Sequence, residues 1–268
     1  MTKRSKPGSP HSSPGSGSNP PRWLRPAWHG LLLLCCAVLA LQLFFVARIA
    51  LMVVVDPKST AFERSEAWRI STQKDGLRWR QQWLDYAQLP ETLKRAVIAS
   101  EDDAFAWHDG VDWESIEKAW EKNNKAEAAQ TKRANQPAAK RPVKSPKVVG
   151  GSTITQQLAK NLFLSGERTL ARKGQEFVLT LALETLLGKE RILEIYLNHV
   201  EWGEGVFGAE AAAWHYFRKP AAKLTRNESA RLAVMLPRPK YFEKLPNSGY
   251  LAERAAVIAG RMANAELP

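Results

Sequence analysis

Residues 101–112 read EDDAFAWHDGVD, and the rest of the chain can be placed by its distance from Glu101. Upstream, the spacing predicts a helix starting at Pro90, a favoured first helical position, with Glu91 in its first turn. Leu93 and Val97 recur at four-residue spacing, and the next positions on that stripe are Glu101 and Phe105. A helix of that length sets a carboxylate at the end of an apolar face. Partial desolvation there favours the neutral acid and raises its proton affinity toward what a general base needs. The alternative is an exposed acidic helix end, and these twelve residues do not separate the two.

Charge and cysteines narrow the function classes. The formal net charge is +12 over 268 residues, but it is unevenly spread. The first 29 residues carry Lys3, Arg4, Lys6, Arg22 and Arg25 with no acid, and residues 121–150 carry eight basic groups against Glu121 and Glu127. The remainder is close to neutral. No basic face covers the folded part and no helix-turn-helix, zinc finger or single-strand platform is recognisable, so no nucleic acid is expected as a partner. Cys35 and Cys36 are adjacent within an apolar run and offer no disulfide framework. The five histidines are scattered without ligand spacing, which leaves any metal ligand set unknown.

Toward the N-terminus, residues 1–27 are rich in Ser, Pro, Gly and basic groups and are expected to be disordered. From Gly30 to Val55 the chain is apolar apart from Gln42 and Arg48. About 20 such residues in a helix cross a bilayer, so residues 28–55 are read as a transmembrane helix. A cleaved signal peptide competes, but the apolar run is too long and lacks a clear small-x-small site. Basic residues on the N-terminal side predict a cytoplasmic head and a chain delivered across the membrane. Residues 56–88, with Trp68, Trp79, Trp83 and Tyr86, read as a membrane-proximal segment whose aromatics lie at the headgroups or pack on the core.

Downstream, Trp113–Trp120 reads as helix, and residues 121–149 lose hydrophobic periodicity and are expected as a flexible basic insertion, either a solvated loop or a binder of anionic headgroups. Order returns at GGSTITQQLAKNLFL, residues 150–164, where Ser152 is the expected N-cap and Ile154, Leu158 and Leu162 form one stripe. A glycine pair ahead of a hydroxyl-capped helix lets backbone N–H groups approach an anion. A further helix over about 170–187 begins with Arg172, Lys173 and Glu176; the i, i+4 spacing pairs Arg172 with Glu176, which on its own is no more than a surface ion pair. Helices follow at 189–198, 209–217, 225–235 and 251–266. Period-two strands are not evident, and the soluble part, residues 89–268, reads as one mostly α domain.

The assembled residues resemble the peptidoglycan glycosyltransferases, glycosyltransferase family 51. Its ED..F..H.G motif is matched by Glu101, Asp102, Phe105, His108 and Gly110. GGSTITQQL.KN is matched from Gly150 to Leu158 with Lys160 and Asn161, RK..E by Arg172, Lys173 and Glu176, and K..IL..YLN by Lys189, Ile192, Leu193 and Tyr196 to Asn198. The resemblance covers about Leu89 to Phe242, and the basic insertion is its one departure. It implies a lysozyme-like helical glycosyltransferase domain behind a single N-terminal transmembrane helix. Ending at Pro268, the chain looks like the monofunctional form without a transpeptidase.

The resemblance also implies a reaction. Lipid II supplies a sugar 4-hydroxyl and a glycan on undecaprenyl diphosphate supplies the anomeric carbon. Glu101 removes the hydroxyl proton, and Glu176 is the second essential carboxylate, ordering cations or holding a metal. Lys160, Arg172 and Lys173 meet the departing diphosphate, with Gln157, Asn161, Ser152 and Thr153 as further substrate contacts. No cofactor is required, although a divalent cation, Mg or Mn, is an optional helper at the diphosphate. Asp102, Phe105, His108 and Gly110 brace the motif. The implied setting is a bacterial inner membrane with the domain on the periplasmic face, the bilayer and other cell-wall synthesis proteins being further partners. A lysozyme-like muramidase or lytic transglycosylase shares the essential Glu but does not require the three cations; a non-enzymatic wall scaffold would not require intact motifs.

Overall fold

A computed structural model describes residues 24–73, 78–134, 151–164, 166 and 169–268. The expected disordered head lies outside the described residues up to position 23, and α1 spans Leu24–Leu51. Its Trp28–Leu51 portion is the one helix among the described residues long and apolar enough to cross a membrane, with a mean hydropathy of 2.6. One N-terminal apolar helix of this kind fits a single-pass anchor. The chain divides into two compact units, residues 1–45 and 46–268.

The second unit is a helical domain built from α2 (Ala61–Ser71), α3 (Glu91–Glu101), α4 (Trp113–Ala134), α5 (Ile154–Phe163), α6 (Leu170–Leu186), α7 (Lys189–His199), α8 (Ala209–Phe217), α9 (Arg226–Met235), α10 (Pro239–Glu243) and α11 (Gly249–Arg261). Helix α7 is its centre: every residue from Ile192 to His199 is buried. A helix buried on all sides must satisfy its polar groups internally. Asn198 bonds both the amide and the carbonyl of Leu84 at 2.8 Å, Glu194 accepts from the Tyr86 amide at 2.9 Å, and His199 meets the buried Glu63 of α2 at 2.8 Å. These bonds fasten the segment before α3 to the core. Around α7, α5 packs against α6 and α7, while α9 lies between α3 and α11.

Several local expectations need correction. Pro90 is the N-cap of α3 rather than its first residue, and the helix stops at Glu101, so Phe105 is buried from a turn and not from a continuing stripe. Helix α4 extends through the start of the basic insertion to Ala134, supported by i, i+4 pairs such as Lys125–Glu121 at 3.0 Å; residues 135–150 lie outside the described residues. Gly188 caps the start of α7. A small sheet is also present: β1 (Arg80–Gln81) pairs parallel with β3 (Val206–Phe207), which pairs antiparallel with β2 (Glu201–Gly203). Strands of two or three residues are too short to display a period. Gly205 makes the turn before β3 at φ +69°, where a Cβ would lie 1.9 Å from the Arg78 carbonyl oxygen, so no other residue fits there. Of the membrane-proximal aromatics, Trp79 stacks on Phe207 and Trp83 meets His199 edge-on, while Trp68 stays exposed.

Candidate functional site

Helix α3 buries Leu93, Ala96, Val97, Ile98 and Ala99 and ends by presenting Glu101. The next residue, Asp102, is buried and employs both oxygens: Oδ1 accepts from His108 Nε2 at 2.8 Å and Oδ2 from the Ile154 amide at 2.9 Å. His108 in turn accepts the Gly110 amide on Nδ1 at 3.1 Å. The Phe105–Gly110 turn is clamped from below by Lys189, whose Nζ donates to the His108 carbonyl at 2.5 Å and to Glu184 at 2.8 Å and lies 4.6 Å from the Phe105 ring centre. Gly110 has φ +84°, and a Cβ there would meet Thr180 at 2.7 Å and Glu184 at 2.8 Å. Asp102, Phe105, His108 and Gly110 thus form a braced turn that ties the end of α3 to the start of α5.

Helix α5 supplies the next layer. Its N-cap is Thr153, not Ser152, in a capping box with Gln156. Thr153 also donates to the Gly110 carbonyl at 2.7 Å, and its side chain is buried. Expected at the substrate, it has its hydroxyl committed to the frame instead; the neighbouring Ser152 is exposed at the cleft. One turn on, Gln157 donates from Nε2 to Glu101 Oε2 at 3.0 Å and accepts from the Tyr196 hydroxyl on Oε1 at 3.0 Å. Tyr196 is fully buried in α7, so the amide of Gln157 is oriented from the core.

At the start of α6, Thr169 caps the helix and Arg172, Lys173 and Glu176 follow within two turns. Glu176 is buried, with Oε2 accepting from Arg172 Nη1 at 3.1 Å and Oε1 from Lys173 Nζ. Together with Ser152, Gln157, Lys160 and Asn161 these residues line a cleft of about 470 Å³, whose other wall includes Phe62, Val200, Glu201, Leu236 and Pro239. A smaller cleft of about 130 Å³ is lined by Glu101, Asp103, Asp112, Ser115, Ser152 and Arg261. Ser152 borders both. Glu101 faces the smaller cleft, while Gln157, bonded to it, faces the larger.

Electrostatics divides the two clefts. Burial pushes the Glu101 carboxyl up from the usual range, opposed by hydrogen bonds from Gln157 and Ser100 and by the more distant Lys160, and reinforced by Asp102. Lys160 keeps solvent access, yet the cleft walls close around its ammonium and lower its pKa. Arg172 and Lys173 act in the same direction, and Glu176 and Glu101 oppose it. Three cations around one carboxylate leave a surplus of positive charge for a bound anion, and they act across a partly dehydrated space where such charges count for more than in water. A metal fits poorly here. Both Glu176 oxygens are taken by cations, and among the described residues no three His, Cys, Asp or Glu side chains are grouped to hold an ion.

The structure brings the expected site residues together; Thr153 borders the smaller cleft beside Glu101 and Ser152, with its hydroxyl committed to the Gly110 carbonyl. Sequence reasoning placed Tyr196 and Lys189 in a motif without a task, because only the fold shows that one orients Gln157 and the other clamps the His108 turn. Glu201 was not singled out at all; its position before a two-glycine turn gives no signal of a cleft wall.

A family model described as Transglycosylase matches residues 69–263. A biosynthetic peptidoglycan transglycosylase of Burkholderia thailandensis is 54% identical over 232 residues, covering 87% of this chain and 84% of the relative. Proteins of the same name from Burkholderia orbicola and Burkholderia pseudomallei are each 53% identical over 232 residues, again 87% of this chain, and 87% and 84% of their own lengths.

Proposed function

The chain belongs to the transglycosylase family and is a peptidoglycan glycosyltransferase; from that premise we propose that it polymerises lipid II into β-1,4-linked glycan without cross-linking it. The acceptor 4-hydroxyl enters by the smaller cleft and donates to Glu101. The donor glycan lies in the larger cleft with its diphosphate against Lys160, Arg172 and Lys173. As Glu101 takes the hydroxyl proton, the oxygen attacks the anomeric carbon from the face opposite the diphosphate. Undecaprenyl diphosphate leaves with the bonding electron pair, and the centre is inverted. Glu176 holds Arg172 and Lys173 in place for that leaving charge. No step is assigned to a divalent ion.

The observation that carries this reading is the division of labour between clefts. Glu101 is met by neutral donors and has raised proton affinity, and the cations gather around Glu176 in the larger cleft. A muramidase expelling a neutral sugar has no use for that cation group. We further propose that α1 holds the enzyme in the bacterial inner membrane, with the N-terminus cytoplasmic and the catalytic domain on the periplasmic side, where lipid-linked substrates lie in the same bilayer. The test is turnover of labelled lipid II by the full chain in detergent. Uncross-linked polymer is expected from wild type and none from Glu101→Gln with an unchanged melting temperature. Cleavage of preformed glycan in place of polymerisation would give the hydrolase reading preference.

A further inference from the structure

The far wall of the larger cleft holds a carboxyl group that the reaction above does not use. Glu201 opens β2, and its side chain is only 9% exposed where it lines the cleft beside Phe62, Val200 and Pro239. Around it three carboxylates share two cations. Lys240 of α10 pairs with Glu66 of α2, with Glu201 at 3.1 Å and with Glu204 at 3.6 Å. Arg69 of α2 bonds Glu66 at 2.7 Å and Glu204 at 2.5 Å and does not reach Glu201. Glu66 and Glu204 therefore have both cations between them, and Glu201 has a share in one.

The oxygens of Glu201 record that shortage. Oε1 is buried beside Lys240 without an aligned hydrogen bond, and Oε2 has no protein partner among the described residues. The other titratable groups at this corner are Tyr216 of α8 and Glu243 of α10; Glu243 is occupied by His215 at 3.0 Å and the Glu204 amide at 2.8 Å. None of them supplies Glu201 with a second cation. A surplus carboxylate in a desolvated wall takes up a proton in preference to keeping a charge. Burial pushes the Glu201 carboxyl up to about 7, with Glu66 and Glu204 adding to the rise and Lys240 opposing it.

We propose that Glu201 is a substrate-reading residue of the larger cleft, its carboxyl donating a hydrogen bond from Oε2 to a neutral oxygen of the donor glycan, a sugar hydroxyl or an N-acetyl carbonyl, beyond the diphosphate. The inference rests on the larger cleft being the donor side. Opposite walls then read opposite chemistry: Lys160, Arg172 and Lys173 take the anionic end, and Glu201 takes an uncharged part that a cation would bind without selectivity. A buried donor of this kind discriminates because a ligand lacking the acceptor leaves it unpaired.

The experiment is steady-state polymerisation of labelled lipid II by the full chain, between about pH 5 and 9, with wild type, Glu201→Ala and Glu201→Gln. Glu201→Ala is expected to raise KM about tenfold with kcat within about threefold of wild type. Glu201→Gln, which keeps a donor and cannot ionise, is expected to restore most of the lost KM and to lack the decline in kcat/KM that wild type shows above about pH 7. An unchanged KM in Glu201→Ala overturns the proposal, as does a Glu201→Gln enzyme with the alanine KM and the wild-type alkaline limb. Should Glu201→Ala melt below the assay temperature, the isosteric Gln profile decides alone. Glu101→Gln in the same assay keeps the two readings apart: activity there sinks the base assignment, whereas an inactive Glu101→Gln beside an unaffected Glu201→Ala removes only the role given to Glu201.

Discussion

Glu101 and Glu176 are the same side chain at the same site, and their surroundings differ in kind. Glu176 is clasped by Arg172 and Lys173 and buried between them. Glu101 meets an amide, a serine hydroxyl at 3.5 Å and no cation within salt-bridge distance. A carboxylate bonded by two cations serves as a fixed anion that arranges them. One set among neutral donors and stripped of water accepts a proton readily, which is the work of a base. In the reaction proposed above, the two glutamates are therefore not an acid and base pair in the hydrolase sense; one moves a proton and the other organises charge.

The largest effect that can break this contrast comes from Glu101→Gln, expected to abolish detectable polymerisation, a loss of at least about a thousandfold, against about a hundredfold for Glu176→Gln, both read as kcat/KM with labelled lipid II. Equal losses, or the reverse order, would merge the two roles. Acid should separate them as well. Because the Glu101 carboxyl is raised by burial, kcat/KM is expected to fall on the acid side at a higher pH than an ordinary glutamate gives, full activity lying above that pKa and being lost as pH drops through it. Gly110→Ala, which puts a methyl against Thr180 and Glu184 at positive φ, is expected to cost about 1–3 kcal/mol in thermal or denaturant unfolding. The smallest change is Tyr196→Phe. Loosening Gln157 weakens the hydrogen bond that lowers the Glu101 pKa, so the acid limb should move to higher pH with a loss of only a few-fold in rate. An unmoved limb would show that Gln157 holds its place without Tyr196.

How much of this was legible beforehand depends on the range of the signal. The helices of the domain announced themselves through four-residue spacing, as with Leu93 and Val97 or Ile154, Leu158 and Leu162, because each buries one stripe. The four motifs placed Glu101, Lys160, Arg172, Lys173 and Glu176 in one site before any coordinates. What sequence did not reveal was set by tertiary contact. Thr153 reads like a substrate hydroxyl until Gly110 is seen to claim it, and Ser152 reads like a cap until the helix is seen to begin one residue later. The three short strands carry no period, and Glu201 becomes interesting only when Glu66, Glu204 and Lys240 converge on it from α2, the β2–β3 turn and α10.

The orientation of Gln157 has a consequence for an enzyme that repeats one reaction many times. Its carbonyl is held by the Tyr196 hydroxyl, so its amide can offer Glu101 only an N–H. That donor suits a carboxylate and has nothing to give a newly formed O–H. On the proposed reaction this hydrogen bond favours release of the captured proton after each sugar addition, against the burial that raises the Glu101 pKa. In that scheme Tyr196 and Gln157 set how readily the base is rearmed before the next lipid-linked sugar arrives.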